Sequence, residues 1–489
     1  MDLKLKRLNL DAGKSIAIID KLTAEKLDAY VGDRLSLSFK GKKAICIIDI
    51  VSNYLHPKEI SCSIDVLDFL KLKNGDVLQV SLAKEPISKE FISKKMFGKE
   101  LTKKEIYAII EDISTNSLTE AEVSYFILGV YSKGMNFRET LDLTEAMYKT
   151  GRVLNWGSKL KVVDKHCIGG IPGNRTTPIV VSICAAAGLT MPKTSSRAIT
   201  SAAGTADTIE TLARVDFPIA DLKKIVAKTG ACLAWGGSLG MAPADDKLIR
   251  IERLLDLDPE SQLIASILSK KIAAGSRYVL IDIPCGDGAK VSKSEALKLK
   301  SKFESVCKHF KLKVKVMLTD GSQPIGNGMG PVLEMIDVLK VLKRDNSPLD
   351  LENKSLLLAG EILEMVGTVA KGKGKARAKE ILDSGKAYKK FEEIISAQGK
   401  KNVVLKPAKF YKNIISSKSG KLKKINNHDI NHIARLLGCP TDKSSGVYIY
   451  KHVNEKVIAK EKLLTLYSES DAKLKGALNY LKDHKTFVF

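Results

Sequence analysis

Asp164–Glu210 reads DKHCIGGIPGNRTTPIVVSICAAAGLTMPKTSSRAITSAAGTADTIE, and this stretch decides the fold. A short apolar strand ending at Val163 runs into the cations Lys165 and His166, then into a turn carrying Gly169, Gly170, Pro172 and Gly173. Arg175, Thr176 and Thr177 lead into an apolar run from Ile179 to Leu189, long enough for a helix. A second strand-like step ends at Lys193, and a tract of hydroxyls and small residues follows from Thr194 to Thr205. Strand, glycine turn, helix, strand, hydroxyl turn, helix is the order of an α/β fold.

Both turns suit an anion. Glycines let the backbone approach closely, and the N–H groups at a following helix start point outward with no partner of their own. Lys165 and Arg197 add full charges, while Thr177, Ser195 and Thr205 bring hydroxyls. One glycine turn is a weak signal, and two tight turns with solvent-facing hydroxyls are the plain alternative. Two such turns at the ends of successive strands, each followed by a helix, point to a phosphate site.

Ser195-Ser196-Arg197-Ala198-Ile199, followed by Ala202-Ala203-Gly204-Thr205, Asp207 and Glu210, resembles the signature of the thymidine phosphorylase family. Asp164-Lys165-His166 with Gly169-Gly170 is similar to that family's phosphate loop. The likeness runs over roughly residues 90–489, and residues 1–85 resemble the extra N-terminal domain of the branch that holds archaeal AMP phosphorylases. It implies phosphorolysis of an N-glycosidic bond: AMP or another nucleoside 5′-monophosphate would give free base and ribose 1,5-bisphosphate. A thymidine or pyrimidine nucleoside phosphorylase is the alternative.

The resemblance also assigns roles. Lys165, Thr177 and Ser195 would hold inorganic phosphate, the expected co-substrate. Gly170, Ser196, Arg197, Ala198, Ile199, Thr200, Ser201, Thr205, Ser266 and Lys290 would bind the nucleotide or nucleoside. Asp258, with its pKa raised by burial so that it holds a proton to give, would protonate the leaving base; His166 and Lys270 are further candidates. Ile251 stands where pyrimidine phosphorylases carry an arginine against the base, which favours a purine or a broader choice of base.

At 489 residues the chain predicts several domains. The boundaries expected are a β-rich barrel over 1–85, a helical lobe over 86–158 completed by 243–270, a catalytic α/β lobe over 159–400, and a C-terminal α/β unit over 401–489. The class is α/β plus α+β, with a mixed sheet in the large lobe. Within the barrel, Leu35–Phe39 alternates at period two and Ala44–Ile48 is continuously apolar. Ser117–Glu120 has the form of a capping box, and Val123, Phe126, Ile127 and Val130 share a helix face. Residues 243–267 read as a charged surface helix, which the resemblance instead places within the helical lobe. Residues 277–284 read as a buried parallel strand leading into the turn Cys285–Lys290. The basic run 371–379 reads as a mobile loop before a helix, and Leu437–Pro440 replaces a glycine-rich turn usual in the family.

The net charge of +24 raises nucleic-acid binding, and a non-catalytic nucleotide- or RNA-binding protein is the rival class. The lysines are scattered among glutamates, however, and aromatics at 6% do not interleave with them, so solvated helix faces are the better reading. Eight cysteines without a CxxC suggest reduced core thiols. His428, His432 and His452 suggest surface histidines, and no metal site or organic cofactor is expected. Without a signal peptide or an apolar run of about 18 residues, a cytoplasmic protein is expected, with no membrane or nucleic-acid partner. By resemblance it forms a homodimer or larger homo-oligomer.

Overall fold

The computed structural model describes residues 1–157, 160–198 and 201–489, so Ile199 and Thr200, expected at the substrate, lie outside the described residues. The chain divides into two units, Met1–Gly151 with Ala242–Ser269, and Arg152–Met241 with Lys270–Phe489.

In the first unit the alternating N-terminal segment closes into a six-stranded barrel. The strand order is Asp2–Leu5, Glu59–Cys62, Ile16–Asp20, Lys42–Val51, Arg34–Phe39, Val77–Leu82. Closure removes the unpaired edges that an open sheet would present. Leu3, Ile19, Leu35, Leu37, Ile48 and Leu78 fill the inside.

The helices Ser88–Met96, Lys103–Ser114, Glu120–Lys133 and Phe137–Lys149 form a bundle. Three of them start with capping boxes, Thr102 with Glu105, Thr119 with Glu122, and Asn136 with Glu139. The box expected at Ser117–Glu120 therefore sits two residues later. Thr119 takes the cap because its Oγ1 accepts from Glu122 N at 3.3 Å, while Glu120 pairs with Arg250 at 3.0 Å. The charged stretch after Pro243 is no plain surface helix. Its helix Pro243–Leu255 buries Ala244, Leu248 and Ile251 in the bundle core, and Lys247 Nζ donates to the carbonyls of Ile113 and Ser114, each at 2.7 Å.

The second unit is built on parallel strands. Lys313–Asp320, Tyr278–Cys285 and Val163–Cys167 form one sheet in that order, and Met191–Ser195 pairs in parallel with Ala231–Trp235. A parallel bridge between Val162 and Thr190 links the two sets. The helix Thr176–Ala186 is buried nearly all round, which is why its sequence is apolar on every face. Antiparallel pairing joins Gly328–Met329, Gly446–Ile449, Lys462–Ser468 and Phe410–Ile415 into a further sheet.

The basic run is not a loop throughout. A helix starts at Gly374, where Gly374 N donates to Glu364 at 2.7 Å and the backbones of Gly360 and Gly374 touch. A Cβ on Gly374 would lie 2.2 Å from Gly360 O, so two glycines allow the crossing that orders this segment. Among the described residues no helix is long and apolar enough to cross a membrane, and all eight cysteines are free.

Candidate active site

In a parallel α/β sheet, ligands gather at the carboxyl ends of the strands. Four loops converge there in the second unit. Beneath them lies a buried cluster around Asp164, whose carboxylate takes Lys271 Nζ at 2.7 Å and Lys193 Nζ at 3.2 Å. Burial alone would raise the pKa of Asp164, but these two lysines outweigh it and hold the carboxyl below its ordinary value. Lys165 points into the same interior, where its Nζ donates to Thr176 Oγ1 at 2.8 Å and reaches Thr177 Oγ1 at 3.5 Å. Burial lowers its pKa. Next to it, half-buried His166 has its pKa pushed well down by burial and by Lys271, Lys193, Lys270 and Lys165, so the ring is neutral at pH 7. Lysines outnumber carboxylates here, and an anion would restore the balance.

The glycine turn above this cluster is set by its own backbone. Gly169 and Gly170 have φ of 91° and Gly173 has φ of 69°, in the left-handed region. A Cβ on Gly173 would stand 2.3 Å from Ile325 O. The turn opens directly into the helix Thr176–Ala186, whose first N–H groups face the loop end.

Carboxylates organise the hydroxyl turn instead. Asp207 Oδ2 accepts from Ala198 N at 2.7 Å and Gly204 N at 2.8 Å. Arg197 is bound by Glu210 through two contacts of 2.8 and 2.9 Å and by Asp207 at 3.2 Å, and it lies over the Trp235 ring. Its guanidinium therefore braces the turn. Ser195 Oγ donates to Ala234 O, Ser201 Oγ to Ala203 O, and Ser196 is exposed. Arg175 ties the two turns together: Nη1 donates to Thr205 Oγ1 at 2.8 Å, Nη2 to Ala203 O at 2.6 Å, and Nε to Glu334 at 2.6 Å.

The third turn brings Lys290 beside the first. A Cβ on Gly170 would be 3.1 Å from Lys290 Cβ. Lys165, His166, Gly170, Thr177, Ser195, Ser201, Thr205 and Lys290, all named from the sequence, thus lie on the converging loops or directly beneath them. Asp258 and Ser266 belong to the first unit. Asp258 is exposed in the loop between the helices Pro243–Leu255 and Glu260–Ala273, so the burial expected of a tuned proton donor is not there. Ser266 is half-buried, and Lys270 opens the second unit's part of that helix. Ile251 is buried in the bundle core.

Sequence reasoning missed Arg175, Lys193, Asp164 and Asp207 as members of the site. Lys193 carried a usable signal, since it lies in a strand that runs into a hydroxyl tract, much as Lys165 lies in the strand before the glycine turn. Asp207 was visible only as part of a signature.

Comparisons with known proteins place family models along most of the chain. The glycosyl transferase family helical bundle domain matches residues 89–151, the family's a/b domain matches 159–388, and the pyrimidine nucleoside phosphorylase C-terminal domain matches 421–487. A Legionella pneumophila (strain Corby) protein provisionally named thymidine phosphorylase is 44% identical over 461 residues, spanning 94% of this chain and 89% of its own. AMP phosphorylase of Pyrococcus furiosus is 43% identical over 482 residues, 97% of this chain and 95% of its own. The AMP phosphorylase of Thermococcus sibiricus is 42% identical over 485 residues, 98% and 96%. Among solved structures, anthranilate phosphoribosyltransferase from Thermus thermophilus shares the fold, with a TM-score of 0.53 at 17% identity over 63% of this chain and 98% of that one.

Proposed function

The chain belongs to the pyrimidine nucleoside phosphorylase family of glycosyl transferases, and from that premise we propose that it phosphorolyses AMP, giving adenine and ribose 1,5-bisphosphate. Inorganic phosphate is the co-substrate. One of its oxygens forms a bond to C1′ of the ribose as the N-glycosidic bond breaks, and the bonding electrons leave with the base, which takes up a proton. Positive charge spreads over the sugar in the transition state, so the gain comes from positioning and electrostatics rather than from a protein nucleophile.

Lys165, Thr177, Ser195 and Thr205 hold the attacking phosphate in this reading. The resemblance assigns proton donation to Asp258 and base contacts to Ser266 and Lys270, while Asp258 stands exposed in this structure. The observation that carries the nucleotide over the nucleoside is the cationic third turn. Gly170 lies against Lys290, so a second anion, the 5′-phosphate, has a lysine beside the first phosphate's glycine turn. Ile251 in the bundle core leaves no arginine at the position pyrimidine phosphorylases use. The relatives named for thymidine keep the pyrimidine nucleoside reading in view.

The test is phosphate-dependent release of free base from AMP, CMP, UMP, adenosine, thymidine and uridine, measured side by side. Release from AMP and not from nucleosides is expected. Release confined to thymidine or uridine overturns the nucleotide reading, and no release from any of them overturns the phosphorylase reading for this chain. Lys165→Met should lower kcat/KM for phosphate by about 10²–10³-fold, the scale seen when one preorganised stabilising group is removed.

A further inference from the structure

The helix Asn427–Leu436 carries two asparagines one turn apart, Asn427 and Asn431, both buried. Positions i and i+4 lie on one face. On this face the two amides reach the loops after four of the five parallel strands. Asn431 Oδ1 accepts from Ala202 N at 3.1 Å in the hydroxyl turn, and its Nδ2 reaches Gly170 O at 3.5 Å in the glycine turn. Asn427 Nδ2 donates to Gly288 O at 3.1 Å and to Gly321 O at 2.9 Å, in the loops that follow Tyr278–Cys285 and Lys313–Asp320. A primary amide offers a donor and an acceptor on one rigid plane, so a single side chain can join an N–H of one loop to a carbonyl of another.

The helix itself is firmly seated. Ile430, Ile433, Ala434 and Leu437 sit in the C-terminal core together with Ala202 from the hydroxyl turn, and Asn426 Oδ1 accepts from His428 N and Asp429 N at the helix start. We propose that Asn427 and Asn431 are positioning residues, and that through them the C-terminal domain sets the register of the anion-binding turns. The proposal rests on reading those turns as the phosphate site. It makes residues 421–487 part of the active site, although the turns belong to the a/b domain at 159–388. Placement of this kind matters because a shift of about 1 Å in a bound reactant can cost about 10²-fold in rate.

The experiment compares full-length Asn427→Ala and Asn431→Ala with Ser468→Ala. Ser468 Oγ donates to Leu437 O at 2.7 Å, so this control removes a buried hydrogen bond at the far end of the same helix without touching a turn. Inorganic phosphate binding is measured by titration calorimetry, the KM for phosphate and kcat by base release, and the Tm by calorimetric unfolding. The asparagine variants should bind phosphate at least tenfold more weakly and show a raised KM for phosphate, at a Tm no lower than that of Ser468→Ala. If Asn431→Ala does not fold, Asn431→Ser should show the same change with a smaller amplitude. Phosphate affinity within twofold of the parent in both variants, or an equal loss in Ser468→Ala, overturns the clamp. Weakened phosphate binding in a protein that releases no base from any substrate would keep the clamp and remove the phosphorylase reading. Absence of phosphate binding in the parent protein overturns both.

Discussion

The glycine turn after Val163–Cys167 and the hydroxyl turn after Met191–Ser195 meet the same demand, a rigid loop at the end of a parallel strand, by different means. In the first, most of the hold is local: left-handed glycines fix the path, and Lys165 reaches threonines 11 and 12 residues away. Asn431 at Gly170 O and Ile325 N at Pro172 O add contacts from farther along the chain. In the second the hold is imported. Ala202 is held by Asn431 across 229 residues, and Glu210, which grips Arg197, is itself gripped by Lys443 across 233. A turn of the first kind can be read from a short stretch of sequence. One of the second kind cannot, because the groups that hold it come together only after the whole unit has folded.

Arg175 is where the two turns can be uncoupled, and its loss should have the largest effect. Arg175→Met leaves the Glu334 carboxylate buried with its charge partner gone, a change that typically costs about 3–5 kcal/mol. Urea unfolding should show this loss, and Arg175→Met with Glu334→Leu should recover more than half of it. A neutral single variant would mean the turns hold independently. Gly173→Ala comes next, at about 2–4 kcal/mol, because it combines a left-handed backbone with a Cβ 2.3 Å from Ile325 O. Unfolding that matches the parent protein's would show that the glycine turn is less rigid than its geometry says.

The smallest effect belongs to acid. Hydrogen bonds from Arg197, aided by Lys443 against the opposing effect of burial, hold Glu210 at a pKa of about 2, below its ordinary 4.5. Its contribution is therefore complete above pH 4.5 and is lost as the pH falls from there toward 2. Glu210→Gln should flatten that part of the stability profile by about 1 kcal/mol or less, the scale of a partly exposed pair. A profile unchanged by the substitution would show that this ion pair does not steady the hydroxyl turn.

Fold class was legible because period-two and helical patterns follow local rules. The barrel strand Arg34–Phe39, the bundle face Val123, Phe126, Ile127 and Val130, and the strand Tyr278–Cys285 all appear where the pattern puts them. The helix beginning at Gly374 was less legible. A lysine-rich, glycine-bearing run reads as a loop unless one knows that Gly360 packs against it. The capping box was misplaced for a related reason, since Ser117 and Thr119 fit the same local pattern and their surroundings chose between them.

The sequence by itself determined the α/β frame, the two turns at its strand ends, and the cation and hydroxyls assembled there, since glycine conformation, alternation and strand-helix order act within a few residues. Tertiary structure decided the rest. It turned Arg197 from a free charge into a brace, buried Ile251 in the helical bundle, left Asp258 exposed in the first unit, and brought Asn427 and Asn431 onto four loops. Charge pairing and burial depend on which distant groups share a volume, and only the folded chain sets that.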